Sequence, residues 1–252
     1  MTTIVAYHAQ LVEADPTAIM VRKRAATGGA DYLGMLDMLA RTARWAMPGC
    51  RLVLATDHAT EVPPDSPWER FRRRRDDYRV AVHRMETQSA FLAAQPPGDY
   101  VFIDTDCLVA RDVSPLLREA EIGLCSPMPG SSKINAGVIY VASPQAGAKW
   151  FATAAETVRS KLTPEEQAWM GDQTAMVMML FGKAPSRASD SCTWAGHHIA
   201  IHPSDLADWS PRDEDGPDSV GARLSYVWHF KGARKIRMRR FFDHMGGKRH
   251  AA

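Results

Sequence analysis

The strongest constraint on this chain is a rhythm in which short apolar runs alternate with segments of helical period. Thr3-Ile-Val-Ala-Tyr7 and Arg51-Leu-Val-Leu-Ala-Thr-Asp57 have the length and β-branched content of buried strands. Between them Leu33, Leu36, Ala40, Ala43 and Met47 recur at three- and four-residue spacing, and Pro48-Gly49 then stops the pattern. Tyr78 to His83 reads as a further strand, Glu86 to Ala94 as a helix, Pro96-Pro97-Gly98 as a turn and Tyr100 to Asp104 as the next strand. Such alternation predicts an α/β fold, with a single mostly parallel, Rossmann-like sheet flanked by helices. Ligands of these sheets bind beyond the carboxyl ends of the strands, which is where Asp57, Asp104 and Asp106 fall.

Past residue 110 the order loosens. Ile122-Gly-Leu-Cys125 and Ala136 to Ala142 are apolar runs, Pro127 to Lys133 is a loop, and helical stretches continue to about Phe181. Ser204 to Gly221 is rich in Asp, Pro, Ser and Gly and reads as a loop. At 252 residues the chain can fill one large core, so one domain, 1–252, is expected.

Charge and cysteine usage exclude several classes. Lys and Arg number 31 against 29 Asp and Glu, so no general field attracts nucleic acid. Cys50, Cys107, Cys125 and Cys192 form no C-x-x-C pair, which argues against a zinc knuckle or a disulfide framework and fits reduced thiols in a cytoplasm. Met1 to Tyr7 lacks a signal-peptide pattern, and the apolar runs fall far short of the roughly 20 residues a membrane span needs. A cytoplasmic location is expected, with any membrane contact peripheral, at the inner face. Arg70 to Arg75 and Lys231 to Arg249 are basic, with Trp68, Phe241 and Phe242 nearby. They read either as solvated faces or as contacts to an anionic membrane or acidic glycan.

The run Val101-Phe-Ile-Asp104-Thr-Asp106-Cys-Leu-Val109 ends an apolar strand in two carboxylates spaced i, i+2. Strand alternation points both the same way, and their repulsion is relieved by a divalent cation, for which hard oxygens suit Mg2+ or Mn2+. The plainer alternative has Asp106 capping a turn and Asp104 solvated. Such a pair serves phosphate-ester chemistry, because a cation stabilises charge growing on a leaving oxygen. Haloacid-dehalogenase-like phosphatases also carry D-x-D after a strand. They usually carry it near the N-terminus and follow it with Thr or Val where this chain has Leu108, and no Asp stands near Met176 for their later acidic motif.

Three later segments add polar groups beside small residues. Lys133-Ile-Asn135-Ala-Gly137-Val offers an amide before a strand, Gly171-Asp172-Gln173 a carboxylate and amide on an otherwise apolar helix, and His229-Phe-Lys231-Gly232-Ala-Arg-Lys235 an imidazole, a permissive glycine and a cation. Taken singly, each fits a structural role too: Asn135 in a turn, Asp172 as an N-cap, His229 in the core. In this order with D-T-D, over residues 100 to 235, they resemble glycosyltransferase family 8, the lipopolysaccharide galactosyltransferase and glycogenin-like enzymes of the GT-A fold.

The resemblance implies a metal-dependent transfer of sugar from a nucleoside-diphosphate donor, UDP favoured, to a glycan, lipid or protein acceptor, with retention of anomeric configuration. It makes Asp104, Asp106 and His229 the metal ligands. Asn135, Asp172 and Gln173 become contacts to the transferred sugar, the last two catalytic, and Gly232 and Lys235 become contacts to the diphosphate. Tyr7, Asp57, Arg84 and Gly137 are further donor-site candidates, with Gln88 beside Arg84. Residues 1–110 would form the nucleotide-binding half and 111–252 the acceptor and sugar half. The chain departs from the family pattern at Tyr7-His8, Thr174 and Ile236-Arg237. A phosphohydrolase using the same aspartates and a non-catalytic sugar-nucleotide-binding module are the competing classes.

Overall fold

A computed structural model of the chain describes residues 1–10, 31–75, 79–127, 133–168, 170–182 and 190–250. Its strands are β1 (Thr2–Tyr7), β2 (Arg51–Thr56), β3 (Glu69–Arg72), β4 (Asp99–Asp104), β5 (Cys107–Val109), β6 (Ile122–Ser126), β7 (Asn135–Val141), β8 (Ser191–Trp194), β9 (His197–Pro203) and β10 (Val227–His229). Eight form one sheet in the order β3-β2-β1-β4-β7-β6-β9-β8, and β5 and β10 form a separate antiparallel pair. Within the large sheet β1 to β4, β6 and β9 run one way, while β7 and β8 oppose them. The expected mostly parallel, helix-flanked sheet is present.

Helices cover both faces. On one side α1 (Tyr32–Ala46) buries Leu36, Leu39, Ala40 and Ala43 against Ile4, Leu54, Val101 and Ile103. Its first turn is held by Asp31, whose Oδ1 accepts from the Gly34 amide at 2.9 Å. On the other side α2 (Val80–Ala93) and α4 (Pro144–Lys161) pack Phe91, Trp150 and Phe151 onto Tyr100 and Phe102. The alternation along β4 matters for function: Tyr100 and Phe102 face α2, and Asp104 continues that side. Short helices α3 (Ser114–Leu117) and α5 (Pro164–Ala168), then α6 (Gly171–Phe181), α7 (Ser204–Ala207) and α8 (Val220–Leu224), lead to a 3-10 turn, Gly232–Arg237, and α9 (Met238–His250).

Several expectations change. From Val80 the segment expected as a strand is the start of α2; its Val82 and His83 belong to a buried helical face with Met85, Thr87, Phe91 and Leu92. A short apolar run carries too few positions to separate the two periods. Ser204 to Gly221 is no plain loop: it contains α7 and the buried Asp208 and Trp209. Trp68, Phe241 and Phe242 are buried, so none is presented to a membrane. Among the described residues, no helix is long and apolar enough to cross a membrane. Tyr78, Trp169 and most of the 127–133 loop lie outside the described residues.

Candidate active site

Two distant motifs meet because β5 and β10 pair with Cys107 opposite His229, and the Phe230 amide donates to the Asp106 carbonyl at 2.9 Å. His229 Nε2 thereby lies 3.3 Å from Asp106 Oδ1 and 3.7 Å from Asp104 Oδ2. Gly137, on β7, makes room for this. A Cβ there would collide with the His229 ring, standing 2.6 Å from Nδ1, and would come within 3.2 Å of Asp104 Oδ2. The glycine of the I-N-A-G-V segment is therefore required by the approach of an imidazole to the sheet.

The cluster is charged and mostly buried. Burial works against ionisation of His229, yet Asp208 and Asp106 push its pKa up to about 9. Asp106 is likewise opposed by burial, but His229 and Lys235 hold it well below the usual carboxylate range. Burial pushes Asp104 up, against the pull of Arg84 and His229. Lys235 Nζ contacts Asp106 Oδ2 directly, and Arg84 of α2 spans Asp104, at 2.8 Å, and Asp172.

One residue the sequence did not single out completes the cluster. Asp208, fully buried just after α7, accepts from His229 Nδ1 at 2.9 Å through Oδ1. Its Oδ2 takes the Asn135 amide and, at 3.4 Å, the Lys231 ammonium. Asn135 Oδ1 accepts from the Gly137 amide at 3.1 Å, so both ends of this amide are engaged inside the protein. The carboxylate fixes the imidazole with Nε2 facing Asp104 and Asp106, the arrangement that presents a histidine to a metal. Its sequence signal was faint: an aspartate before a tryptophan in a stretch of turn-forming residues.

The other candidates are placed less uniformly. Asp172 is buried in the first turn of α6 against Arg84, and Gln173 beside it lines a cavity of about 810 Å³ together with Asn135 and Lys231. Tyr7 ends β1 in register with Asp104, and its hydroxyl bonds to His83 Nδ1 at 2.8 Å. Asp57 lies beyond β2 as expected, but its Oδ1 accepts from the Thr60 amide at 2.7 Å and serves a local turn. Gly232 has φ +61°, which a glycine adopts without strain, and nothing within 4 Å of where a Cβ would stand. Gln88 is buried on α2.

Two carboxylates and an imidazole whose second nitrogen is anchored by a third carboxylate suit Mn2+ or Mg2+. The Cys107 sulfur also lies within 4.8 Å of ligand atoms of Asp106 and His229. Burial and Asp106 push that thiol well above its ordinary value, and a soft donor suits a hard cation poorly. Asp104 Oδ2, 3.7 Å from His229 Nε2, is the harder donor beside the pair.

The large mixed sheet flanked by helices is the GT-A fold, as its likeness to solved glycosyltransferase structures shows. The solved structures similar to it make this concrete. The galactosyltransferase LgtC, in complex with donor and acceptor sugar analogs, matches 98% of this chain and 96% of its own at 12% identity, TM-score 0.54. A variant of LgtC, an active-site mutant with glutamate in place of glutamine, matches over the same shares at 13% identity, TM-score 0.51. The glycosyltransferase GlyE of Streptococcus pneumoniae TIGR4 matches 98% of this chain at 9% identity, TM-score 0.58, over 63% of its own length. No family model matches the sequence, and no curated protein matches it by sequence.

Proposed function

We propose that this chain is a glycosyltransferase that moves a sugar from a nucleoside-diphosphate donor, UDP favoured, to an acceptor hydroxyl. The observation that carries the proposal is the convergence of Asp104, Asp106 and His229 Nε2, from two distant segments, at the carboxyl end of β4. These three would hold Mn2+ or Mg2+, which when bound neutralises the diphosphate and stabilises charge on its departing oxygen. The names of the similar structures, sugar transferases throughout, support the same activity.

The positions of the remaining residues support the following roles. Lys235, whose ammonium sits at the cluster on Asp106, would supply positive charge to the diphosphate. Gly232 leaves the backbone open to phosphate oxygens. Arg84 and Asp172 orient the transferred sugar, and Gln173, at the cavity edge, faces the anomeric carbon. The active-site glutamine in the name of the LgtC variant supports that role. The anomeric carbon–oxygen bond to the diphosphate breaks, the acceptor oxygen forms the new bond from the same face, and its proton passes to the departing phosphate oxygen. Residues 1–110 bind the nucleotide and 111–252 the sugar and acceptor, in a cytoplasmic enzyme.

The test is incubation with a panel of nucleotide sugars with and without Mn2+. Metal-dependent release of nucleoside diphosphate supports the proposal. Free phosphate from a monoester, or donor binding with no turnover, would replace it with a hydrolase or a binding module. Product NMR reads the stereochemistry, and an inverted anomer would remove the retaining step.

A further inference from the structure

Asp208 stands where the carboxylate cluster meets the cavity beside Gln173, and what it does there rests on the transferase proposal for its chemistry. Its backbone is held from two sides. Toward β10, the Trp209 amide donates to the Val227 carbonyl at 2.9 Å, the His229 amide to the Trp209 carbonyl at 2.8 Å, and Ser210 Oγ to the His229 carbonyl at 2.8 Å. Toward β7, the Tyr140 hydroxyl donates to the Ala207 carbonyl at 2.9 Å. The end of α7 is thus pinned between the strand that carries His229 and the strand that carries Asn135.

The carboxylate, 0% exposed, divides its oxygens between those two residues. Oδ1 accepts from His229 Nδ1, and Oδ2 from the Asn135 amide nitrogen and the Lys231 ammonium. An ionised carboxylate only accepts, so it turns the nitrogen of Asn135 inward. The Gly137 amide only donates, and it holds the oxygen. One N–H and one lone pair of the Asn135 side chain are left over, and Asn135 lines the cavity with Lys231 and Gln173. A buried ion pair adds little net stability, so stability alone gives no reason for a carboxylate at this point. What it supplies is geometry.

We infer that Asp208 is a positioning residue for both parts of the reaction: through His229 it sets the metal site, and through Asn135 it sets which sugar the cavity accepts. Asp208→Asn replaces an acceptor-only group by one that also donates, so the Asn135 amide is free to turn over. The full chain, Asp208→Asn and Asn135→Ala are titrated by calorimetry with MnCl2. At Mn2+ saturating for each, they are then titrated with UDP, UDP-glucose, UDP-galactose, UDP-N-acetylglucosamine and UDP-glucuronic acid.

The native chain should separate its tightest from its weakest UDP-sugar by at least about tenfold. Asp208→Asn should shrink that ratio to below about threefold and weaken Mn2+ about 10- to 100-fold, while UDP itself keeps its affinity within about threefold. A general loosening of the fold would not spare UDP. Asn135→Ala removes no hydrogen bond to Asp104, Asp106 or His229 among the described residues. It should lose the sugar ratio and, by releasing Oδ2, still weaken Mn2+ by about threefold, which tests the link even where Asp208→Asn fails to fold.

Asp208→Asn that loses Mn2+ affinity but keeps the full sugar ratio would reduce Asp208 to a metal anchor and overturn the inference. So would a parallel loss of UDP affinity, Asn135→Ala with native Mn2+ affinity, or a native chain that binds the UDP-sugars without separating them. Binding of none of these nucleotides, with or without Mn2+, defeats the transferase proposal itself.

Discussion

The carboxylate cluster at the end of β4 and the cavity wall along α6 are neighbours built on opposite rules. In the cluster every charge is matched from within: Asp104 by Arg84, Asp106 by His229 and Lys235, Asp208 by His229 and Lys231. Along α6, Val177 to Phe181 are only partly buried. The first region is pre-organised, with cations of the chain standing where a metal and phosphate charge would be matched. The second is a partly buried apolar face that lines the cavity beside Gln173. Chemistry that tolerates no misplacement belongs on the first.

Breaking the cluster should have the largest effect. Asp106→Asn removes the carboxylate that His229 and Lys235 share, and metal-dependent donor turnover should fall by about 10³-fold. Full activity in steady-state assays would contradict the metal role. Gly137→Ala keeps every ligand residue but drives a methyl into the His229 ring, and turnover should fall by about 10²-fold from misplacement alone. Asp208→Asn keeps the shape but loses the anchor of Nδ1, and Mn2+ affinity by calorimetry should drop about 10- to 100-fold. An unchanged affinity would make Asp208 merely structural.

A smaller, signed effect is expected with pH. His229 has its folded pKa raised above the unfolded value of about 6.5, so its contribution to stability is complete below that value. It is lost as pH rises through about 9, and the thermal midpoint of the protein in chelator should fall across that window. His8, His83 and His202 act in the opposite sense. Burial lowers their pKa, so they lose stability as pH drops below about 6.5, outside the window of His229. A midpoint that stays flat from pH 7 to about 9.5 would contradict the charged imidazole.

Much of the first region was legible in the sequence, because its parts are local. An apolar strand ending in D-T-D carries its reason within a few residues, whereas the reason for Gly137, on β7, is the ring of the distant His229. Their meeting with His229 came only through the family resemblance, since nothing local says that β10 will pair with β5. Asp208 was illegible because its meaning is wholly tertiary: a buried carboxylate between an imidazole, an amide and an ammonium looks, along the chain, like one more turn residue. The start of α2 was misjudged for want of length, and the edge strand β3 was hidden in a basic run that reads as solvated. Asp57 kept its expected place beyond β2 while its carboxylate served a turn. Position at a strand end is thus weaker testimony than convergence with other groups.

The central claim is that His229 and the two aspartates hold one divalent ion. Pulsed electron paramagnetic resonance of Mn2+ added to the full chain with UDP tests it directly, because a coordinated imidazole imprints its nitrogen on the manganese signal. Nitrogen modulation is expected in the native protein and should be lost in His229→Gln. Bound Mn2+ without that nitrogen, or the same modulation in both proteins, would contradict it.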